Sequence, residues 1–385
     1  MSQPITNLRA GIIGTGFIGP AHIEALKRLG VQVAAIVDND RAKVVADRWG
    51  VPHAITDLDH KKLVTHPEVD VVHIASPNKL HAQHASDAIK AGKHVICEKP
   101  LAMTSKETAA LVKLAASRPK QVFAVNYNLR FYPAVLQMRA AVQRGDFGTI
   151  FHVNGSYMQD WLLKDTDYNW RLLPNEGGAL RAVSDIGTHW MDAASFILGS
   201  RISEVYAQLE TLHKNRRRPI GEVQTYAKAG ADQKYETYPV KTEDYAAVLL
   251  RWGSGVFGSL NVSQVAAGRK NCLRLEIYGS KKSAWWNSEE PNTIHYGARD
   301  GANEESLRGS PGFAEDVVGF TDYPGGHAEG FPDTFKMNCR AIYTAIASGK
   351  REGAMFATVE DGHHEVKVCD AILKSSQTKK WVKIK

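Results

Sequence analysis

Three glycines, Gly14, Gly16 and Gly19, fall within six residues between an apolar run (8–13) and a segment of helical spacing (20–29). A second apolar run (31–37) then ends in an acid, Asp38. Residue types in that order can grip a dinucleotide. The first glycine permits a tight turn, the second lets the backbone approach a pyrophosphate, and the third lets the helix lie close to its strand. The helix start, with Phe17 and Ile18 in the turn, offers N–H groups and a positive dipole end to phosphates. Asp38 can accept hydrogen bonds from both hydroxyls of an adenosine ribose, and its charge opposes a 2′-phosphate. The expected cofactor is NAD; Arg41, three residues on, keeps NADP open because it can bind that phosphate. An ordinary strand–turn–helix connection is the competing reading, and the acid at the expected spacing weighs against it.

Three further residues bear proton chemistry. Lys99 stands between Glu98 and Pro100 after a short apolar run (94–97), where an ammonium can hydrogen-bond a substrate oxygen. A surface lysine in a strand-to-helix turn fits the same spacing. Asp185 and His189 are four residues apart and share one helix face. An imidazole is the natural base for a secondary alcohol near neutral pH, and a carboxylate one turn back can orient substrate or imidazole. Taken alone, the pair reads first as an N-capping acid and a core histidine. With no third ligand near in sequence, no metal is expected.

The elements that position these residues follow a βα rhythm through the first third. Strands are expected at 8–13, 31–37, 69–74, 94–97 and 121–126, with helices at 20–29, 41–49, 57–65, 81–91 and 105–117. Such alternation predicts a doubly wound parallel sheet whose ligands lie beyond the carboxyl ends of the strands. The glycine turn, Asp38, Ser76 to Asn78, Glu98 to Pro100 and the segment 126–128 all fall at those ends. Beyond 127 the pattern changes. A helix at 133–144 precedes alternating strands at 150–158, 202–210, 244–252, 255–264 and 272–279, with a helix at 184–198 among them. Alternation of that kind predicts a mostly antiparallel sheet with one face covered. Residues 291–330 read as a long loop, and helices at 331–348 and 359–376 close the chain. The expected fold class is α/β: a dinucleotide-binding domain over 1–127, then a substrate-binding and oligomerisation domain over 128–385.

Composition excludes several classes. The chain has 385 residues, 43% hydrophobic and 23% charged, as expected for a globular protein of two domains. Net charge is +7, yet the basic residues are scattered among 41 acidic ones. The one dense basic run, 214–218, lacks interleaved aromatics and reads as a solvated loop, so no nucleic-acid partner is expected. If folded over the site, it would instead clamp a phosphate. Four cysteines far apart suggest neither zinc nor a disulfide framework. No export signal and no apolar run of roughly 20 residues is visible, so cytoplasm without membrane partners is the expectation.

Taken in order, the motifs resemble a known family. Gly14-Thr15-Gly16-Phe17-Ile18-Gly19, Ala75-Ser76-Pro77-Asn78 with His81, Glu98-Lys99-Pro100 and Asp185-x-Gly187-x-His189 are similar to the Gfo/Idh/MocA oxidoreductases over essentially the whole chain. The resemblance implies a Rossmann domain followed by an α/β domain with an open, mostly antiparallel sheet. It implies hydride transfer between a nicotinamide cofactor and a secondary hydroxyl or ketone of a sugar, glycoside or cyclic polyol. Lys99, Asp185 and His189 take the catalytic positions, with His189 as acid/base, and Pro100 follows a cis peptide. Ser76, Pro77, Asn78, His81, Glu98, Asn128, Trp170 and Arg171 join the glycine turn and Asp38 as cofactor-binding positions. The segment Arg130-Phe131-Tyr132-Pro133 also resembles the family. Gln159-Asp160-Trp161 and Trp170-Arg171 resemble the branch of levoglucosan, glucoside and inositol dehydrogenases. There Tyr157, Gln159, Trp161, Arg171 and Thr188, with Lys99, Asp185 and His189, line the substrate site. One departure is visible: Arg181 to Ser184 intervene between Gly-Gly-x-Leu and the Asp. A homodimer or homotetramer is expected. Two alternatives stand beside the dehydrogenase: a glycosidase with retained NAD, and a non-catalytic NAD- or sugar-binding regulator.

Overall fold

A computed structural model describes residues 3–220, 234–351 and 353–385, which divide into two compact units. The first unit holds a seven-stranded sheet. Its strands are β1 (Arg9–Ile13), β2 (Gln32–Val37), β3 (His53–Ile55), β4 (Val71–Ile74), β5 (His94–Cys97) and β6 (Phe123–Val125), with the two-residue strand Ala357–Thr358 at the edge. The order is Ala357–Thr358, β6, β5, β4, β1, β2, β3. All pairings are parallel except the antiparallel edge strand on β6. Every residue of β4 is buried, as are all but the first of β1, β2 and β5. Helices on both faces demand this, and it is why these strands are continuous apolar runs. β3 is short and largely exposed, and was not foreseen.

The second unit holds a nine-stranded sheet. It contains β7 (Ile150–Met158), β8 (Ile202–Glu210), β11 (Tyr245–Trp252), β12 (Phe257–Ser263), β13 (Cys272–Gly279), β14 (Ser283–Asn287), β15 (Thr293–Gly297) and β16 (Glu304–Leu307). A separate two-stranded ribbon pairs β9 (Asn215–Pro219) with β10 (Tyr235–Pro239). The order is β16, β15, β14, β13, β7, β12, β11, β8 and the terminal Val382–Lys383. Only β7 and β12 run parallel. Along β11, Ala246, Val248, Leu250 and Trp252 face inward while Leu249 and Arg251 face out, the period-two signature of a half-covered sheet. Among the described residues, no helix is long and apolar enough to cross a membrane.

Three expectations need correction. Residues 291–330 are not one loop: they supply β15, β16 and a short helix, Glu315–Val318. The buried Arg308–Glu329 ion pair (2.9 Å) ties this stretch together. The basic run 214–218 is not a solvated loop: it forms most of β9, with Arg216 fully buried. The domain division also differs, because Phe331–Val366 belongs with Met1–Asn128. Its helix Phe331–Ser348 buries Phe335, Met337, Ile342 and Tyr343. Asp333 in its first turn pairs with Arg28 (2.6 Å). Thr334 accepts a hydrogen bond from Asn128 Nδ2 (2.6 Å). A segment late in the chain thus completes a unit begun at its start.

Candidate active site

In the first unit the glycine turn follows β1. Gly14 adopts φ +94°, and a Cβ there would sit 2.6 Å from the Ala75 carbonyl oxygen. A Cβ on Gly19 would overlap the Gly14 carbonyl. The fold itself requires these two glycines. Gly16 differs: the nearest atom to its added Cβ is Arg41 Nη1, 3.9 Å away. No packing demands a glycine there, so the open space fits close approach of a ligand backbone-side. The helix Gly19–Arg28 starts beside it with no side chain capping its first N–H groups, the arrangement that receives phosphate. Gly14→Ala is therefore expected to cost about 1–3 kcal/mol of stability from backbone strain alone. Gly16→Val should leave the melting temperature unchanged and weaken dinucleotide binding at least about ten-fold. Thermal melts and calorimetric titration of the two variants check the contrast.

Asp38 follows β2 and is half-buried. Its Oδ2 accepts from the Thr15 N–H (2.6 Å) and Thr15 hydroxyl (2.7 Å), and its Oδ1 accepts from the Asn39 N–H (2.8 Å). These donors hold a carboxylate in one orientation beside the turn, as recognition of a ribose diol requires. Beyond β4 and β5 a single ring links two more turns. His81, buried, places Nε2 2.8 Å from the Ser76 carbonyl oxygen and Nδ1 2.8 Å from the Pro100 carbonyl oxygen. Pro77 opens the helix Asn78–Lys90, in which Asn78 is buried. The Lys99–Pro100 peptide is cis.

Beneath Lys99 lies a buried polar chain that the sequence did not reveal. His22 Nε2 meets Glu98 Oε1 (2.9 Å), His22 Nδ1 meets His73 Nδ1 (3.0 Å), and His73 Nε2 meets the Tyr343 hydroxyl (2.9 Å). Asn126 Nδ2 also donates to Glu98, and Asn338 Nδ2 donates to Asn126 Oδ1 (2.7 Å). Burial alone would push the Glu98 carboxyl up; the hydrogen bond and charge of His22, the Lys99 charge and the Asn126 amide overcome it and hold it at about 2. Burial, then His22, keeps His73 well below the usual imidazole range. Glu98 is thus a fixed anion next to Lys99.

In the second unit, Asp185 lies in a wide π-type turn, Val183–Gly187, that runs directly into the helix Thr188–Leu198. Such turns displace a side chain from regular helical register and recur at functional positions. His189, buried, is in the first turn of that helix, with the Tyr157 ring 6.5 Å from its own. A buried ion pair from Arg130 Nε to Asp192 Oδ2 (2.8 Å) anchors the same helix. Asp185 Oδ1 pairs with Arg171 Nε (3.1 Å), and its Oδ2 accepts from Gln264 Nε2 (2.8 Å). Arg171 lies over the Trp170 ring (4.3 Å) and donates from Nη1 to Asn169 Oδ1 (3.3 Å).

The three expected sugar-site residues on β7 and just after it form one hydrogen-bonded group. Tyr157 Oη and Gln159 Nε2 both donate to Asn271 Oδ1 (2.7 and 2.8 Å), and Trp161 Nε1 donates to Gln159 Oε1 (2.8 Å). Trp161 also packs on a small cluster of Leu162, Leu172 and Val240. Thr188, in contrast, is fully buried with its hydroxyl donating to the Ser184 carbonyl (3.0 Å). Asn271 and Gln264 carried no motif; only their places at strand ends hinted at them. The arrangement can accept a hydroxyl proton at His189 and hydrogen-bond neighbouring hydroxyls at Asp185.

Comparison with known proteins bears on both units. Residues 8–127 match the family model described as "Oxidoreductase family, NAD-binding Rossmann fold", and residues 135–285 match the "GFO/IDH/MocA C-terminal domain". Levoglucosan dehydrogenase of Pseudarthrobacter phenanthrenivorans is 30% identical, over 98% of this chain and 98% of its own. Inositol 2-dehydrogenase 2 of Saccharopolyspora erythraea is 26% identical, over 96% and 94%. A solved structure of levoglucosan dehydrogenase in complex with NADH and levoglucosan superposes with a TM-score of 0.86 at 28% identity, covering 98% of this chain and 99% of that one. With its Rossmann sheet and fitted glycine turn in the first unit and its open antiparallel sheet in the second, the chain belongs to the Gfo/Idh/MocA family of NAD-binding oxidoreductases.

Proposed function

We propose that this oxidoreductase transfers hydride between NAD and a secondary hydroxyl or ketone of an uncharged sugar, glycoside or cyclic polyol. The observation that carries this reading is a buried His189 that follows, four residues on, a carboxylate, Asp185, anchored by Arg171 and Gln264. Levoglucosan, bound by a structural relative, is a neutral ring of the same class. The basic strand supports neutrality. Arg216 is buried against Asp244 (2.7 Å), Arg217 pairs with Asp165 (2.9 Å), and Arg218 pairs with Glu236. These three guanidiniums are already engaged, which argues against a phosphate clamp.

Gly14 to Gly19 and Asp38 would hold NAD, which when bound supplies the ring carbon that takes the hydride. In this reading His189 accepts the carbinol proton. The Lys99 ammonium can donate to a substrate oxygen as negative charge builds on it. Asp185 accepts a hydrogen bond from a substrate hydroxyl and fixes its orientation.

The test is a spectrophotometric screen of neutral sugars, anhydrosugars, glycosides and polyols with NAD. NADH formation on at least one is expected. Activity confined to sugar phosphates would overturn neutrality, and glycoside cleavage without net NADH would favour the glycosidase reading. For the coenzyme, kcat/KM with NAD is expected to exceed that with NADP by about ten-fold or more, since Asp38 opposes a 2′-phosphate at short range. Asp38→Ala should narrow the gap. Equal use of both coenzymes by the wild type would show that Arg41 compensates.

A further inference from the structure

Asp185 is held by a chain of buried groups that no family motif includes. Gln264 is fully buried, and its amide can face either way. Arg181 decides the orientation: its Nη1 donates to Gln264 Oε1 (3.0 Å), and a guanidinium cannot accept, so Nε2 must point at Asp185 Oδ2 (2.8 Å). Arg181 is itself fixed. It is buried, pairs with Asp244 and donates from Nε to Thr242 Oγ1 (3.3 Å). The Arg181 and Val183 N–H groups both donate to Glu243 Oε1 (2.9 Å each), which ties down the segment bearing Asp185. Asp244 is shared with Arg216 from β9. Three guanidiniums (Arg171, Arg181, Arg216) therefore meet two carboxylates (Asp185, Asp244), while Glu243, whose carboxyl burial pushes up, accepts backbone N–H groups; only an ionised Asp185 offsets the Arg171 charge.

We propose that Gln264, oriented by Arg181, is a positioning residue that keeps Asp185 an anion, so that Asp185 serves substrate only as a hydrogen-bond acceptor. This rests on the dehydrogenase reading above for its link to substrate, but the ionisation claim stands on the network alone. Among the described residues of this unit, the charged groups that face Asp185 or its clamp include Arg171 from the turn after Asn169, Arg181 on its own segment, and Glu243 and Asp244, which precede β11. His189 follows one turn on, with Tyr157 of β7 behind it. Arg181, which orients Gln264, lies in the stretch Arg181 to Ser184 that intervenes before Asp185.

The test compares the wild type with Gln264→Glu and Gln264→Leu. Gln264→Glu keeps an acceptor for Arg181, so it preserves the fold if the leucine variant does not. It also sets a second carboxylate against Asp185. Aspartate labelled at its carboxyl carbon with ¹³C is followed by NMR across pH, and the Asp185 resonance is assigned by its loss in Asp185→Asn. The Asp185 midpoint is expected to rise by about one unit or more in Gln264→Glu. The acid limb of kcat/KM should rise with it while kcat above that limb is retained. An unmoved midpoint overturns the proposal, as does a raised midpoint with an unmoved limb, which would make the clamp merely structural. A wild type that oxidises no neutral sugar would instead defeat the functional reading. In that case the NMR midpoint alone decides whether Gln264 holds Asp185 ionised.

Discussion

His189→Ala is expected to lower kcat by roughly 10²–10⁴-fold while leaving the dissociation constant for NAD almost unchanged. The expectation follows from placement. His189 lies on the helix Thr188–Leu198 of the second unit, whereas the glycine turn and Asp38, proposed to hold the dinucleotide, belong to the first. On the proposed mechanism, loss of the imidazole removes the group that accepts the carbinol proton and leaves those residues unchanged. Lys99→Ala should produce a loss of similar size, because nothing else on its turn supplies a positive charge: Glu98 and Pro100 flank it. Steady-state kinetics on the true substrate and calorimetric titration with NAD separate the two effects. Near wild-type turnover in either variant would remove that residue from the catalytic set.

Asp244→Ala is expected to destabilise the protein by about 3–5 kcal/mol, the usual penalty for leaving buried charge unpaired. Asp244, Arg181 and Arg216 are all fully buried. One oxygen of Asp244 faces both guanidiniums, and the other accepts the Leu212 and His213 N–H groups (2.8 and 2.9 Å). Burial would push this carboxyl up, but Arg181, the His213 N–H and Arg216 together hold it below the ordinary aspartate value. A depressed folded-state pKa gives stability that is present above the unfolded value and lost as pH falls through the folded one. The same sign holds for Glu98, whose window runs from its ordinary 4.5 down to about 2. Urea unfolding of the Asp244 variant at neutral pH checks the magnitude, and a loss under about 1 kcal/mol would refute it. The exposed pairs of Arg217 and Arg218 should contribute little, since solvent and salt screen them.

The first unit was legible because its strands are buried on both faces and so appear as unbroken apolar runs between glycine-marked turns. The return of Phe331–Val366 to that unit was not legible, since an amphipathic helix does not announce which sheet it will cover. In the second unit the long alternating strands β7, β8, β11, β12 and β13 could be read. The strands β14 to β16 and β9 could not, being short, edge-lying or charged. Arg216 shows why: in sequence it is one of several basic residues, and only the fold puts Asp244 against it. The site divides likewise. Residues with fixed spacing, such as Gly14 to Gly19 or Asp185 and His189, were visible. Gln264 and Asn271 were not, because the contacts that give them meaning span 79 and 112 positions.

The chain's path has a consequence for its synthesis. The first unit opens with residue 1 but closes only with Phe331–Val366. When the ribosome has made Asn128, the parallel strands exist, yet Tyr343 has not been supplied to His73 nor the edge strand to β6. At about 5–20 residues per second, the nascent dinucleotide-binding half waits roughly ten to forty seconds before helix Phe331–Ser348 begins to emerge. During that interval it exposes a flank built to be covered, and the second unit must form or be held open meanwhile. A fragment cut after Asn128 would carry that exposed flank permanently, so the cofactor half is not a module that can be detached and moved to another protein as it stands.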